Sequence, residues 1–188
     1  MYQLLSASFG IIARKFPTRA FLQATSLNAA IGVFTITAIA SALEMLASGE
    51  TFSSTLLIAI VVSVAISLGA LLVILLIGRW VINRYVNVPF SYTEMFALEM
   101  LLTGATQVII SVAMIVALFL GAGAVTAIGV VSLIFGVYML LTFQKAVSSI
   151  ALITKSQAAN VIIAPILVIL VVWFGFGVTI FGGLAATQ

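Results

Sequence analysis

The amino-acid sequence predicts an all-α integral membrane protein, a bundle of five transmembrane helices. Composition is the first reason: 64% of the 188 residues are hydrophobic and only 6% are charged, whereas soluble domains carry about 25% charged residues. The second reason is that five stretches reach the roughly 20 mainly apolar residues that a spanning helix needs. The third is that all seven Lys and Arg residues fall in segments that would share one side of the membrane.

The predicted spans are apolar on every side and lack the alternation of polar and apolar residues found in strands of a membrane barrel. Helices are therefore expected. The spans cover about residues 27–46, 56–77, 96–120, 125–143 and 161–181. The segments between them are too short to hold a soluble domain, so residues 1–188 are expected to form a single membrane domain.

Turn and capping residues fall between these spans. A short polar turn lies at residues 48–51, and Pro89 disfavours helix in the longest polar break. Residues 91–94, Ser-Tyr-Thr-Glu, form a capping-box pattern that opens the third spanning helix. The minimal turn at residues 121–124 predicts that the third and fourth helices are antiparallel neighbours, and Pro165 is expected to kink the fifth.

The distribution of charge sets the predicted orientation. Basic residues precede the first span and also separate the second span from the third and the fourth from the fifth, whereas Glu44 and Glu50 fall on the opposite side. Since cytoplasmic flanks collect Lys and Arg, the amino terminus is expected to be cytoplasmic and the carboxyl terminus outside. The first apolar stretch is too long for the core of a signal peptide, so it is expected to be retained.

The first twenty residues contain a short amphipathic pattern. Apolar residues recur at helical spacing at Leu4, Leu5, Phe9, Ile12 and Phe16. An interfacial basic cluster overlaps the end of this pattern and consists of Arg14, Lys15 and Arg19. The pattern favours a short helix lying at the cytoplasmic membrane interface within residues 2–19. The alternative is a frayed tail.

The residue types that are missing exclude several kinds of site. The chain contains no His, no Cys and no Asp, so a Ser-His-Asp triad, a zinc site, a thiolate nucleophile and an aspartic protease dyad cannot be built. We therefore expect no enzymatic activity, no metal and no cofactor. The chain also lacks a basic run suited to nucleic acid, and the lipid bilayer is its expected partner.

Arg79 and Asn83 lie one helical turn apart just beyond the second span and could share a face. They are candidates for contact with lipid phosphate, or for pairing with Glu94 or Glu99 across the following loop. The favoured interpretation is simpler: basic residues at a helix end extend toward the headgroups and keep their charge in water.

Glu99 is the ionisable residue with the most apolar surroundings, within the segment Met-Phe-Ala-Leu-Glu-Met-Leu-Leu at residues 95–102. An acid inside a membrane helix is by default a candidate for function, here a proton or cation relay. Because it lies only about one turn inside the predicted boundary, a structural ion pair is the favoured alternative. The candidate partners are Arg79, Arg84 and Lys145.

Gln107 lies deeper in the third span, with Thr103 one turn before it and Ser111 one turn after it. The three residues form a polar stripe that is expected to face the bundle. Such groups often make hydrogen bonds between membrane helices. A path for a transported solute would use similar residues.

Four short segments occur in a recognisable order along the chain. They are residues 13–21 (Ala-Arg-Lys-Phe-Pro-Thr-Arg-Ala-Phe), 77–80 (Ile-Gly-Arg-Trp), 90–97 (Phe-Ser-Tyr-Thr-Glu-Met-Phe-Ala), and 151–159 with the later Pro165 and Trp173-Phe174-Gly175. In this order they resemble the Yip family of Ypt/Rab-interacting membrane proteins and their short prokaryotic homologues. The resemblance covers about residues 10–182 and implies five helices with a cytoplasmic amino terminus.

Eukaryotic members of that family engage partners through a long cytoplasmic amino-terminal region. Here only about twenty residues precede the first span. The resemblance therefore suggests a prokaryotic member in the cytoplasmic (inner) membrane and argues against binding of Rab-type GTPases.

The expected function is that of a non-enzymatic, Yip-like polytopic membrane protein. It would act as a scaffold, a membrane-organising protein or an accessory subunit through helix and lipid contacts, with another membrane protein or a second copy of the chain as partner. The alternative is a small transporter or channel component whose polar path runs near Glu99 and Gln107. That alternative predicts a water-accessible cavity beside Glu99.

Overall fold

The computed structural model of the protein describes residues 1–47, 61, 65 and 68–185. Over these residues the chain forms helices joined by short turns and contains no strand. The helices of the described part are α1 (Tyr2–Ile12), α2 (Arg19–Ala24), α3 (Leu27–Ala47), α4 (Leu68–Ile82), α5 (Tyr92–Leu120), α6 (Ala122–Ala151) and α7 (Lys155–Ala185).

Four of these helices, α3, α5, α6 and α7, are long and apolar enough to cross a membrane. This confirms the expectation of an all-helical, multi-pass membrane protein. The predicted turn at residues 48–51 and much of the first half of the predicted second span, 56–77, lie outside the described residues. The fifth crossing therefore stays a prediction, with α4 forming the carboxyl-terminal end of that span.

The observed helices extend beyond the predicted spans at one end of the bundle. α5 begins at Tyr92, before the predicted range 96–120, and α6 continues to Ala151, beyond the predicted range 125–143. α7 likewise begins earlier than predicted, at Lys155. The reason is that hydropathy marks only the part of a helix that crosses hydrocarbon, whereas capping and backbone hydrogen bonds continue the helix into the interface.

α5 is the central helix of the bundle and contacts α1, α2, α3, α4 and α6. Its first half is mostly buried, whereas in its second half only Ser111 and Ala117 are buried and the other residues are half-buried or exposed. The large side chains with the least exposure are Phe90, Leu4, Ile11, Leu22, Ile82, Leu98, Leu101, Met139, Ile150, Val33 and Val147. The protein core therefore sits toward the end of the bundle where α5 begins.

α5 and α6 form an antiparallel hairpin, which confirms the predicted minimal turn. Gly121 joins them with a φ of 98°, in the region that Gly adopts without strain. Beyond this turn, α6 exposes large apolar side chains over one broad face. They include Val130, Val131, Leu133, Ile134 and Val137. An exposed apolar surface of this extent is typical of a surface that faces lipid.

α1 contacts three long helices, α3, α5 and α6. At its start, the side chain of Met1 packs against α3. In its middle, the Oγ of Ser8 accepts a hydrogen bond from the backbone N–H of Ala105 in α5 at 2.8 Å. At its end, the Tyr138 hydroxyl of α6 donates to the carbonyl oxygen of Ile12 at 3.0 Å.

The predicted amphipathic segment 2–19 is divided between α1 and the turn that follows it. Arg14 adopts the left-handed conformation, with φ 58°. Its N–H donates to the carbonyl of Ile11, and the N–H of Lys15 donates to the carbonyl of Gly10, both at 2.8 Å. This is the Schellman arrangement that ends a helix. A helix is thus present where one was predicted, and the frayed tail is not observed.

α4, α5 and α7 approach one another closely at Gly78. A Cβ atom added there would lie 2.8 Å from Cε of Met95 and 3.8 Å from Cγ of Pro165. α4 contains one π-helical turn at Ile74–Gly78, and α7 continues through Pro165. A π turn and an internal proline each disturb regular helical hydrogen bonding. Two of the three helices therefore have an irregular backbone at their meeting point.

Candidate functional site

Most of the candidate polar residues meet at one end of the bundle, where α4 ends, α5 and α7 begin, and α6 ends. Nδ2 of Asn160 in α7 donates to the Tyr85 hydroxyl beyond α4 at 3.2 Å, which ties two of these helix ends together. We call this the basic end, because it carries Arg19, Arg79, Arg84, Lys145 and Lys155.

Arg19 is the first residue of α2, and its guanidinium reaches both the α4–α5 loop and α5. Its Nε donates to Oε1 of Glu94 at 3.0 Å. Its Nη1 and Nη2 donate to the carbonyls of Val88 and Pro89 at 2.8 and 2.9 Å. Its central carbon lies 3.9 Å from the centre of the Phe90 ring. Because the planar guanidinium serves several acceptors at once, one side chain fastens the amino-terminal segment to the loop.

Glu94 closes the first turn of α5. Its N–H donates to Oγ of Ser91 at 3.1 Å, and its Oε2 accepts from the N–H of Ser91 at 2.7 Å, so the predicted capping box is confirmed. The other carboxylate oxygen binds Arg19. Only 7% of Glu94 is exposed. A negative charge at a helix amino terminus is favourable, and Arg19 compensates it locally.

Arg79 and Asn83 both bind the backbone of Phe90. Nε of Arg79 donates to the carbonyl of Phe90 at 2.8 Å, and Oδ1 of Asn83 accepts from the N–H of Phe90 at 2.7 Å. The guanidinium carbon of Arg79 also lies 4.0 Å from the centre of the Tyr92 ring. Since the Phe90 side chain is itself fully buried, the loop is held by its backbone and its side chain together.

We name this set of residues the loop clamp. It consists of Arg19, Arg79, Asn83, Ser91 and Glu94. The clamp joins α2, α4 and α5 through the loop between α4 and α5. Its guanidinium, amide and carboxylate groups are directed at partners within the chain, so its chemical effect is to fix these three elements relative to one another.

Ion pairs of Arg79 with Glu94 or Glu99 were candidates from the sequence, and the described residues contain neither of them. Arg79 binds a loop carbonyl, and Glu94 binds Arg19. The guanidinium carbon of Arg84 lies 3.5 Å from the centre of the exposed Trp80 ring. Cation–π stacking at an exposed helix end is consistent with an interfacial position.

Glu99 lies apart from the loop clamp. It follows Met95 by one helical turn on α5, next to the close approach at Gly78, and it is half-buried. Its backbone carbonyl accepts from the Thr103 hydroxyl at 2.8 Å. Among the described residues, however, its carboxylate has neither an ion pair nor a hydrogen bond. In that part of the chain, the expected ion pair with Arg79, Arg84 or Lys145 is absent.

Gln107 joins α5 to α3. Its Nε2 donates to the Oγ of Ser41 at 3.1 Å, which is the type of interhelical bond that the sequence suggested. Within the described part of the chain, the buried hydroxyls of Thr106 and Ser111 have no hydrogen-bond partner. The polar stripe thus faces the bundle, and only one of its side chains bridges two helices there.

The three residues of the predicted basic cluster occupy different environments. The guanidinium carbon of Arg14 lies 5.4 Å from the centre of the Tyr138 ring. Lys15 is exposed. The Arg19 side chain is only 19% exposed because it belongs to the loop clamp. The residues that can face a membrane surface are therefore Arg14 and Lys15.

No family model, no curated protein and no solved structure matches this chain. The resemblance to the Yip family rests on the four sequence segments alone and stays a prediction.

Sequence reasoning missed several residues that position the site. Ser8, Phe90 and Tyr138 were not singled out, although Ser8 bonds to a residue 97 positions away and Tyr138 to one 126 positions away. Ser8 offered a usable signal, since its hydroxyl lies on the same face of α1 as Leu4 and Ile11. Phe90 offered none, because its role depends on backbone groups that any residue possesses.

Proposed function

We propose that the chain is a non-enzymatic, Yip-like membrane protein that acts as a scaffold, a membrane-organising protein or an accessory subunit. The loop clamp is the observation that carries this proposal. Its charged and amide groups are directed at partners inside the chain and therefore serve the fold. What remains for the surroundings is an apolar surface with a basic rim, which suits contact with lipid and with other membrane helices.

The proposed architecture has five crossings, a cytoplasmic amino terminus and an external carboxyl terminus, in a prokaryotic inner membrane. Its support is the collection of Lys and Arg at the basic end. The chain has no natural cysteine, so Thr18→Cys, Asn87→Cys and Gln188→Cys can each be labelled uniquely. A membrane-impermeant maleimide on intact cells is expected to label position 188, and positions 18 and 87 only after permeabilisation. Labelling of position 18 but not of position 87 on intact cells would reject five crossings, because positions 18 and 87 lie on opposite sides of the membrane if the second span is absent.

The partner is tested by purifying the tagged chain from its native membrane in mild detergent and identifying what accompanies it by mass spectrometry. A stoichiometric second protein would support the accessory-subunit form. The exposed apolar face of α6, around Leu133 and Val137, is the expected contact surface. Gly136 lies on this part of the helix, and a Cβ added there would meet nothing within 4 Å, so a larger side chain fits the monomer. Gly136→Phe is therefore expected to reduce recovery of a partner or homo-oligomer, whereas Leu152→Ala at the basic end is not. A chain that purifies alone and monomeric would reject the subunit form.

A second candidate function is a small transporter or channel component, favoured by the environment of Glu99. Its carboxylate has no partner among the described residues. It follows by one helical turn Met95, whose side chain lies against Gly78 at the end of the π turn of α4. Irregular membrane helices leave backbone carbonyls free to act as ligands. A carboxylate near such carbonyls is a suitable site for a proton or small cation.

Flux through proteoliposomes distinguishes this second candidate from the first. Proton and monovalent-cation flux would be compared for the wild type, Glu99→Gln and Glu44→Gln, with empty liposomes as background. Glu44 is a matched control because it is a half-buried carboxylate on a different spanning helix. Flux lost only in Glu99→Gln would support transport. Flux equal to that of empty liposomes in the wild type would reject it.

A further inference from the structure

An open groove of about 440 Å³ lies between the outer face of α1 and the chain that follows this helix. Its more buried lining residues, Ala7, Gly10, Phe16 and Pro17, form an apolar floor. Ser6 and Lys15 are exposed at its rim. This volume falls within the range of sites that hold small organic ligands.

The groove is built by a chain reversal that is fixed at both ends. The left-handed turn at Arg14 folds residues 15–17 back beside α1, and the N–H of Lys15 bonds to the carbonyl of Gly10 at 2.8 Å. A few residues later, Arg19 holds the chain to Glu94 through the loop clamp. The groove therefore exists before any ligand binds, which lowers the entropic cost of binding.

The groove opens toward the side of the bundle that faces lipid. The opposite face of α1, with Leu4, Ser8 and Ile11, is buried, and Ser8 contacts Ala105 of α5. The same face of α5 continues past α1 at heptad spacing as the exposed residues Ile109, Val112 and Val116. An exposed apolar helix face of this kind meets acyl chains, and α1 covers only its beginning.

The depth of α1 places the groove near the headgroups. Its contacts Ala105 and Tyr138 lie at similar distances from the turn at Gly121, about 25 Å along each helix at 1.5 Å per residue. The residues before that turn, Phe119 and Leu120, are exposed and apolar, so the turn end belongs to the hydrocarbon. In a hydrocarbon core about 30 Å thick, α1 then lies about 5 Å inside the opposite boundary, the depth of interfacial helices.

Lys15 brings an uncompensated positive charge to this depth. Among the described residues that line the groove, none is acidic. The ion pair in the described part of the chain uses Arg19, not Lys15. Arg14, next in the chain, adds a second cation beside the Tyr138 ring. A lysine near the membrane boundary extends toward the headgroups and is stabilised there by an anion.

We propose that this groove is a binding site for one anionic phospholipid of the leaflet at the basic end. The phosphate binds the Lys15 ammonium, and one acyl chain lies along the floor formed by Ala7, Gly10, Phe16 and Pro17. This site rests on the proposed function of a membrane-organising protein. It adds that one of the protein's lipid contacts is specific for the charge of the headgroup.

The first test is native mass spectrometry of the purified full chain with phosphatidylglycerol or phosphatidylcholine of the same acyl composition. We expect one retained phosphatidylglycerol, and Lys15→Gln is expected to weaken its binding about five-fold, the effect of one interfacial lysine. Lys155→Gln is the matched control, since it removes an exposed lysine at the same end but outside the groove. Equal binding of both lipids, or an equal loss in both variants, would overturn the proposal.

The second test separates the apolar floor from the charge. Ser6→Phe is expected to fill the groove and reduce retention of both lipids. Phe9→Ala is the control, because Phe9 is exposed on the same helix but does not line the groove. Tryptophan fluorescence during heating verifies that each variant is folded. Retention of the lipid by folded Ser6→Phe would overturn the proposal.

The occupant itself is identified by photocrosslinking. Ser6→Cys carries the only cysteine of the chain, and a photoreactive maleimide attached there is irradiated in native membranes. An adduct with the mass of a phospholipid supports the site, whereas a polypeptide adduct assigns the groove to a protein partner and overturns it. Partner recovery in mild detergent is measured in parallel. Loss of lipid selectivity with partner recovery unchanged would refute this site alone and leave the proposed function intact.

Discussion

Arg19 donates its Nε–H to Oε1 of Glu94 at 3.0 Å, across 75 positions of the chain. The same guanidinium donates to the carbonyls of Val88 and Pro89. One side chain thereby connects the segment before the first spanning helix to the start of the central helix α5. The contact therefore links the amino-terminal segment to the basic end of the bundle.

Replacing Arg19 is expected to destabilise the protein more than its surface position suggests. Arg19→Lys keeps the charge but cannot reach three acceptors, so we expect a loss of about 2 kcal/mol in the free energy of unfolding. Heat denaturation in detergent, followed by tryptophan fluorescence, measures it. Lys155→Gln is the control and should change stability by less than about 0.5 kcal/mol. Wild-type stability in Arg19→Lys would mean that the clamp contributes little.

The pairing of Arg19 with Glu94 is tested by a double-mutant cycle. Arg19→Gln and Glu94→Gln remove partners of one another. The double variant should therefore be about as unstable as the worse single variant, with a coupling of about 1–2 kcal/mol. The same denaturation assay provides all four values. Strictly additive losses would show that the two residues stabilise the protein independently.

Substituting alanine for a glycine is expected to destabilise the protein in α5 but not in α6. A Cβ at Gly104 would lie 2.7 Å from Cγ1 of Val33, a fully buried and rigid side chain. Gly104→Ala should therefore cost about 1–3 kcal/mol through overpacking. A Cβ at Gly136 meets nothing within 4 Å, so Gly136→Ala should be neutral or stabilise the helix by up to about 1 kcal/mol. Equal effects in thermal denaturation would contradict the close approach of α3 to α5.

Replacing the two glutamates of α5 by glutamine should change the stability of the protein in opposite directions. Glu94 has a guanidinium partner, whereas the Glu99 carboxylate has no partner among the described residues. Glu99→Gln should raise stability by about 1–3 kcal/mol, because a half-buried carboxylate without a partner loses hydration that no hydrogen bond replaces. Glu94→Gln should lower stability in the same thermal assay. A loss of stability in Glu99→Gln would reveal a partner for this carboxylate.

The attachment of α1 is tested by hydrogen exchange. Tyr138→Phe removes the hydroxyl that donates to the carbonyl of Ile12. A hydrogen bond contributes about 1 kcal/mol, so amides of α1 and its closing turn should exchange about five-fold faster if they open locally. Tyr85→Phe serves as the control, because its hydroxyl accepts from Asn160 on α7. Unchanged exchange in Tyr138→Phe would mean that α1 is held by its apolar face alone.

The sequence by itself determined the class of the protein and the positions of its long helices. Apolar runs and the capping pattern at Ser91 and Glu94 are local properties, so helix existence, the hairpin at Gly121 and the start of α5 follow from short windows of sequence. Helix ends were misplaced by several residues where the helices leave the hydrocarbon, because hydropathy no longer marks them there.

Only the tertiary structure decided which charged residues form ion pairs and hydrogen bonds with one another. The sequence indicates Arg79 as a candidate partner for Glu94, and it places Arg19 in an interfacial basic cluster. Folding instead brings Arg19 to Glu94 and leaves Lys15 at the rim of an open groove. The physical reason is that such pairings depend on the heights and rotations at which helices pack, and these are set by close contacts such as Gly104 against Val33 between residues far apart in the chain.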